Sequence, residues 1–508
     1  MKGGLNILDS QVTVMGLGLF GGGSAVARHL AEAGARVTVT DLRSANVLAP
    51  AMEELADLDL EWHLGGHRQE DFTAADLVVA NPAVPPDSPF LQAARGAGVP
   101  ITSELALFLA ACPGTLALIT GTQGKSSTCQ FLAGLLRAAP PSGAIHLGGN
   151  IGRSLLGELP QMSAADLAVL EVSSYQLAAL STEEREATRD RGRVAAVAIT
   201  NILEDHLERH GSREAYAAAK TKILDLLRPG GTALLPARDG RLCTAAHGAR
   251  GNSPQGQSKP DTIVGHRQTI PFGRGRAAER FPDLRLADGR IYCGDTLLGD
   301  AGDLRVAGAF QADNLLVAAG LARVLSMTPE TIAQAIPTLR GLPHRMELLE
   351  LLESGPRPID ASSTGDAIPA GGPVFIDNGV STTPDSTLSA LRSCRPPVVL
   401  VCGGRDKGLS FVELIAAARG PVRLVICFGE AAASLAARFR EGGLEAEVHG
   451  ELTAAARAAC TAVGPGDTLL FSPACSSFDT FNNFRERALA FREALTPSAR
   501  APTPGGAG

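Results

Sequence analysis

The chain has 508 residues, and at roughly 150 residues per domain that length points to about three domains. Apolar residues make up 45% and charged residues 19%, enough for several buried cores and too apolar for a disordered chain. No apolar run reaches the roughly 18 to 20 residues of a membrane span, and a net charge of −7 with 4% aromatics lacks the basic footprint of a nucleic-acid binder.

The nine cysteines are odd in number and include no C-x-x-C pair, so their spacing suggests neither a zinc site nor a disulfide framework. The amino terminus, MKGGLNILDS, has no apolar h-region before a small-residue cleavage site, and a cytoplasmic protein is expected.

In chain order, Val12-Thr13-Val14-Met15 reads as a strand, followed by glycines and a helical period through Val26, Leu30 and Ala33. Gly34 stops that helix, and Val37-Thr38-Val39-Thr40 gives the next strand, ending at Asp41. Leu77-Val78-Val79-Ala80 is a further buried strand, and the Cys112-Pro113-Gly114 break marks a domain boundary. A second unit opens with Leu116-Ala117-Leu118-Ile119 and continues with strands at 167–170 and 194–199, which a charged surface stretch, 181–193, separates. A helix over 213–227 and a strand at 232–235 follow. Residues 238–300, rich in Gly, Arg and Pro, read as loops with a small antiparallel patch, and a helix over 314–325 closes the unit. After Gly341-Leu342-Pro343, strands at 374–376, 398–401, 424–428 and 468–471 alternate with helical pattern. Residues 361–372 form a Ser/Gly/Pro loop, and 496–508 have the composition of a disordered tail. The expected fold is α/β in three domains: a Rossmann-like 1–112, a central ATPase-type 113–340 with a mainly parallel sheet, and a Rossmann-like 341–495.

Gly16-Leu17-Gly18-Leu19-Phe20-Gly21 matches G-x-G-x-x-G, with Asp41 twenty residues past its last glycine. The glycines permit a tight turn and close approach to a pyrophosphate at the helix start. Such a loop serves a dinucleotide, another nucleotide diphosphate, or simple packing. Thr120-Gly121-Thr122-Gln123-Gly124-Lys125-Ser126-Ser127-Thr128 lies between a buried strand and a helix. Its amides and Lys125 would hold a polyphosphate and its Ser126 hydroxyl a Mg²⁺, although Ile119 stands where the full Walker pattern has its first glycine. Glu171 and His206 follow neighbouring parallel strands, whose carboxyl ends face the crevice of the phosphate loop, so they could add oxygen and nitrogen ligands. By spacing alone Glu171 is better read as a cap or ion-pair partner and His206 as a hydrogen-bonded loop residue. Tyr216 and Lys220 lie one helical turn apart, and the plain reading of Lys220 is a solvated surface lysine. Cys402-Gly403-Gly404-Arg405-Asp406-Lys407-Gly408 and Phe471-Ser472-Pro473-Ala474-Cys475-Ser476-Ser477 end two strands as polar loops, either plain turns or a small-anion pocket.

Taken together and in order, these motifs join Gly148-Gly149-Asn150-Ile151-Gly152, Asn201…Asp205-His206, Asn314, Gly341-Leu342-Pro343-His344-Arg345 and Ser472-Pro473-Ala474-Cys475. The set resembles the cytoplasmic Mur ligases of peptidoglycan synthesis, over nearly the whole chain, and within them the branch that adds glutamate to UDP-N-acetylmuramoyl-L-alanine. The resemblance implies that the first domain holds the UDP moiety through Leu19, Phe20 and Arg43, which sets the NAD reading aside. It implies that Asn150, Ser173 and Gln176 hold the muramoyl-alanine end, and that Ser126, Glu171 and His206 ligate Mg²⁺, with Lys220 as a carbamate-carrying lysine that orients it. Gly121, Thr122, Gly124, Lys125, Ser126, Ser127, Asn314, Arg345 and Asp377 match ATP contacts; Thr382, Lys407, Ser477 and Phe484 match the glutamate pocket. The implied catalytic set is Lys125, His206 and Lys220, and the implied chemistry is ATP-driven amide formation through an acyl phosphate, with the third domain closing over ATP.

One departure concerns substrate choice: D-glutamate ligases usually carry a lysine three residues after the aspartate, and here Val380 stands there, in Asp377-Asn378-Gly379-Val380-Ser381-Thr382-Thr383-Pro384. A related subgroup that adds L-glutamate resembles this pattern, so glutamate is expected with its handedness open. A dehydrogenase using the first glycine motif and a non-catalytic ATP-binding module are the rival readings. A monomer without nucleic-acid or membrane partners is expected.

Overall fold

In the computed structural model, the described residues are 7–18, 21–139, 142–151, 154–203, 207–237, 268–275, 283–306, 308, 310–352, 355–358 and 372–495. Three sheets organise them. The first is wholly parallel, in the order β3-β2-β1-β4-β5, from β1 Gln11–Met15, β2 Arg36–Asp41, β3 Leu60–Leu64, β4 Leu77–Ala80 and β5 Ile101–Thr102. The order reverses beside β1, so β1 and β4 flank a crevice at their carboxyl ends.

The second sheet runs β14-β13-β12-β11-β10-β9-β6-β8-β7. Its strands are β6 Thr115–Thr120, β7 Ile145–Gly149, β8 Leu167–Glu171, β9 Val194–Ile199, β10 Thr232–Pro236, β11 Gln268–Arg274, β12 Leu284–Ala287, β13 Arg290–Cys293 and β14 Thr296–Asp300. The inner strands β6, β8, β9 and β10 read as unbroken apolar runs because helices cover both faces of a parallel sheet. The segment read as loops with an antiparallel patch is richer than that. Among its described residues, antiparallel pairing is confined to β12-β13-β14, whereas β11 pairs parallel with both β10 and β12. Its Pro271 and Gly273 hid β11, since proline is rarely placed inside a sheet.

The charged stretch after Leu180 also carries structure: Thr182–Arg191 is a helix with a reciprocal cap between Ser181 and Glu184 and Gly192 in the left-handed region at its end. Of its side chains only Thr188 is buried, which is why no apolar period announced it.

The third sheet is β16-β15-β17-β21-β18-β19-β20, from β15 Glu347–Leu352, β16 Gly355–Pro358, β17 Val374–Asp377, β18 Val398–Gly403, β19 Val422–Phe428, β20 Ala446–His449 and β21 Thr468–Ala474. β15 and β16 form an antiparallel edge on an otherwise parallel core.

The chain divides into two compact units, one formed by Met1–Ala301 with Asn314–Ala335 and the other by Gly302–Asp313 with residues from 336 onward. The first two sheets thus share a unit. One apolar core joins Val12, Val14 and Leu30 to Leu116, Leu170 and Leu235, and the helix Glu104–Ala111, buried from Leu105 to Leu109, contributes to it. No described helix is long and apolar enough to cross a membrane, and the described cysteines are all free. Leu19, Phe20, His206, most of the 361–372 loop and the 496–508 tail lie outside the described residues.

Candidate active site

β6 feeds directly into the glycine loop, and the helix Lys125–Ala138 starts at the lysine. Gly124 caps it at φ +84°, and a Cβ there would meet Asn314 Oδ1 at 2.2 Å. Gly121 sits at φ +150°, with Thr200 Oγ1 where a Cβ would go. The left-handed backbone and the close approach both demand glycine. The turn is fixed from the adjacent strand end: Thr122 N–H donates to the Asn201 carbonyl (2.9 Å) and Gln123 N–H to Asn201 Oδ1 (2.9 Å). Lys125 Nζ donates to the Thr122 carbonyl at 2.9 Å, folding the side chain over its own loop. Ser127 is buried and Ser126 half-buried. The start of a helix offers orphan N–H groups and the positive end of its dipole, a site suited to phosphate.

Beside the loop, Glu171 ends β8 and pairs in register with Ile119 on β6 and Gly149 on β7. Its Oε1 accepts from Asn150 Nδ2 at 2.8 Å, while Oε2 is buried without a hydrogen-bond partner among the described residues. An unmatched buried carboxylate oxygen is costly, and a divalent cation is the partner it fits. Burial first, and the Glu171 carboxylate second, push the Cys129 thiol well above its ordinary pKa while Lys125 opposes them, so both charges reach the same thiol. Lys220, read by default as a surface residue, is instead 1% exposed; its Nζ donates to the Gly121 carbonyl at 2.7 Å and lies 4.5 Å above the Tyr216 ring. Tyr216 in turn reaches the loop through its hydroxyl, 3.1 Å from Thr122 Oγ1. The structure therefore brings Gly121, Thr122, Gly124, Lys125, Asn314, Glu171 and Lys220 together at the carboxyl end of one sheet. Asn150 joins them through Glu171. Ser173 and Gln176 cap each other at the start of Ser174–Ala179, with Gln176 N–H donating to Ser173 Oγ (3.2 Å) and Ser173 N–H to Gln176 Oε1 (2.9 Å).

At the crevice of the first sheet, Asp41 is buried and its carboxylate accepts from the N–H groups of Gly18 (3.2 Å) and Arg43 (2.8 Å). An acid engaged inside its own loop is poorly placed to hold a ribose, which disfavours the dinucleotide reading. Arg43 is exposed at the rim. The loop after β4 is linked to the central sheet by Arg209, which donates to the carbonyls of Pro82 (3.1 Å) and Val84 (2.6 Å) and lies over Tyr175.

In the second unit Asp377 is fully buried at the end of β17. Its Oδ1 accepts from Gly379 N–H (2.8 Å), and its Oδ2 meets His344 Nδ1 (2.7 Å) and Arg492 Nε (2.7 Å). Glu347 Oε2 accepts from His344 N–H (2.7 Å) and from Arg492 Nη2. His344, Glu347 and Asp377 could gather round a metal ion, but the Arg492 guanidinium already supplies that cation. Arg345 is half-buried beside them. Arg487, which no sequence motif marks, has the largest fully buried side chain among the described residues; it donates to the carbonyls of Cys475 (2.9 Å), Gly379 (3.3 Å) and Ser381 (3.2 Å). Burial lowers its pKa to about 10, so it stays charged near neutrality. It ties the loop bearing Val380 and Thr382 to the one bearing Ser477. Thr382 and Phe484 are half-buried, Ser477 is buried and Lys407 is exposed. Neither Arg487 nor Arg492 stood in a motif; only their place on the apolar face of the last helix, next to Ala488 and Phe491, could have marked them.

Three domain profiles match the chain in order: a Mur ligase MurD-like N-terminal domain over residues 10–103, a Mur ligase middle domain over 119–255 and a Mur ligase glutamate ligase domain over 365–475. A UDP-N-acetylmuramoylalanine–D-glutamate ligase of Roseiflexus sp. (strain RS-1) is 34% identical, covering 96% of this chain and 98% of its own. The ligase of the same name from Anaeromyxobacter dehalogenans is 34% identical over 97% and 98%. Among solved structures, the UDP-N-acetylmuramate-alanine ligase of Thermotoga maritima superposes with a TM-score of 0.56 at 18% identity, covering 96% of this chain and all of that one. The MurF ligase of Thermotoga maritima in complex with ADP gives 0.52 at 16% identity over 91% and 94%.

Proposed function

We propose, from the premise that the chain belongs to the Mur ligase family, that it is an ATP-dependent ligase joining D-glutamate to UDP-N-acetylmuramoyl-L-alanine. The observation that carries the reading is the juxtaposition of the glycine loop and its Lys125 with a buried Glu171 oxygen that has no hydrogen-bond partner among the described residues. We take domain limits of 1–112, 113–340 and 341–495, a monomer, and a reaction in the cytoplasm.

The loop amides of 121–127, Lys125, Asn314, Arg345 and Asp377 bind ATP in this account. Ser126, Glu171 and His206 would hold Mg²⁺, which would supply charge neutralisation for the anions that have to meet. Leu19, Phe20 and Arg43 take the UDP end, and Asn150, Ser173 and Gln176 the muramoyl-alanine end. Thr382, Lys407, Ser477 and Phe484 take glutamate, with Lys407 the cation for a carboxylate in a loop where Val380 supplies none. Lys220 as the unmodified ammonium fixes the loop through Gly121, and as a carbamate it would instead orient the Mg²⁺. A carboxylate is a poor electrophile, so its oxygen attacks the γ-phosphorus, breaks the bond to the β-phosphate oxygen and forms an acyl phosphate with ADP as the leaving group. The deprotonated glutamate amine then adds to the acyl carbon, gives up a further proton, and the tetrahedral intermediate expels phosphate. Lys125 and the loop amides lower the repulsion among the meeting anions, and positioning supplies the rest.

The test is phosphate release from ATP and Mg²⁺ with UDP-N-acetylmuramoyl-L-alanine and, in separate reactions, D- and L-glutamate. Release with D-glutamate is expected. Release with L-glutamate alone would reassign the acceptor, and release with neither would remove the ligase reading.

A further inference from the structure

Non-glycine residues seldom adopt positive φ, yet His344 (φ 61°) and Met346 (φ 52°) both do so, one on each side of Arg345. Each left-handed residue of this kind costs on the order of 1 to 2 kcal/mol and persists only where its surroundings over-determine it. The alternation buries His344 and Met346 and leaves Arg345 half-buried between them. The restraints are all in the same unit. The His344 ring bonds Asp377, its N–H donates to Glu347, and its carbonyl accepts from Val380 N–H at 3.1 Å. Arg492, from the helix Phe484–Leu495, bridges the two carboxylates: Nε and Nη2 lie 2.7 and 2.6 Å from Asp377 Oδ2, and Nη2 also bonds Glu347. Burial works against the Arg492 charge, and Asp377 and Glu347 outweigh it, raising its pKa above the ordinary value.

A planar guanidinium suits this place because its fork can hold two carboxylates in fixed directions, which the point charge of an ammonium cannot. Without it the fully buried Asp377 and the half-buried Glu347 would face each other as like charges, and the two anchors of the strained turn would lose the cation that holds them together.

We infer that Arg492 is a positioning residue for nucleotide binding: by clamping Asp377 and Glu347 it holds the His344–Met346 turn in the conformation that presents Arg345 to ATP. The inference rests on the assignment of Arg345 and Asp377 as ATP contacts. It makes Arg492 matter most to ATP among the three substrates.

The test uses the full-length chain and compares Arg492→Lys and Arg492→Met with the unaltered protein, measuring kcat and KM separately for ATP, UDP-N-acetylmuramoyl-L-alanine and D-glutamate. Misplacing a contact by about an ångström costs up to ~100-fold, so Arg492→Met is expected to raise KM for ATP about ten- to a hundredfold. Arg492→Lys should be intermediate, and the other two KM values should stay within about twofold. If Arg492→Met fails to fold, Arg492→Lys decides alone. An unchanged KM for ATP in a folded variant, or an equal rise in all three KM values, overturns the inference. Absence of phosphate release from the unaltered protein would instead sink the ligase reading itself.

Discussion

Lys220 Nζ donates to the Gly121 carbonyl at 2.7 Å, joining residues ninety-nine positions apart, while the Tyr216 ring lies beneath the same ammonium. The bond ties the helix Arg213–Thr221 to the first residue of the phosphate loop. Removing one partner of a buried hydrogen bond strands the other at a cost of about 1 to 3 kcal/mol.

Lys220→Met keeps the apolar stem and removes the donor. Turnover is expected to fall by about a hundredfold or more as the loop loses its register, with the helical signal and cooperative unfolding retained. Depleting bicarbonate from the unaltered protein should also slow it if the carbamate is the working form; an unchanged rate assigns the role to the free amine.

Glu171→Gln keeps the shape of the side chain and removes its charge. The Asn150 contact can survive through the amide oxygen, but the partnerless position no longer suits a cation. The Mg²⁺ concentration giving half-maximal rate is expected to rise about tenfold or more, since metal affinity depends on carboxylate charge. A Mg²⁺ titration of both proteins reads this directly, and superimposable curves would remove Glu171 from the metal site.

Gly124→Ala places a methyl group 2.2 Å from Asn314 Oδ1 on a backbone at φ +84°. The backbone contribution alone is about 1 to 2 kcal/mol, and Asn314 must also move. A lower unfolding midpoint and weakened ATP binding are expected together, measured by thermal denaturation and nucleotide titration. A stable variant with normal ATP affinity would show that the loop does not close around Asn314.

Asp166 offers a pH test. Its carboxylate accepts from the N–H groups of Ser163 and Ala144, with His146 and the Ser163 hydroxyl adding to them, and these hold its pKa down to about 2, against an ordinary value of 3.8. A depressed carboxylate contributes stability that is full above its unfolded pKa and lost as pH falls through the folded one. The stabilisation should therefore disappear between about pH 4 and pH 2. Asp166→Asn should flatten the fall of the unfolding midpoint over that window; an identical slope in both proteins would mean that the carboxylate is not held by its neighbours in solution.

Much of the central architecture was legible because buried parallel strands carry continuous apolar runs: 194–199 was read with the bounds that β9 has. Edge strands were not. β3 (LEWHL), β7 (IHLGG) and β20 (AEVH) have few fully buried positions, so their composition carries no pattern to distinguish them from loops. The glycine loop announced itself through Gly121, Gly124 and Lys125, whose chemistry is local. The setting of Lys220 depends on a partner ninety-nine residues away, and that of Arg492 on Glu347 and Asp377, brought together only by the third sheet and the last helix. Helical period could mark their faces, not their partners.

The most direct measurement is a structure of the full chain with Mg²⁺ and a non-hydrolysable ATP analogue. The triphosphate should rest on the amides of residues 121–126, with Lys125 Nζ turned from the Thr122 carbonyl to a phosphate oxygen and the cation against Glu171. A triphosphate bound elsewhere, with Lys125 still folded on Thr122, would contradict the assignment.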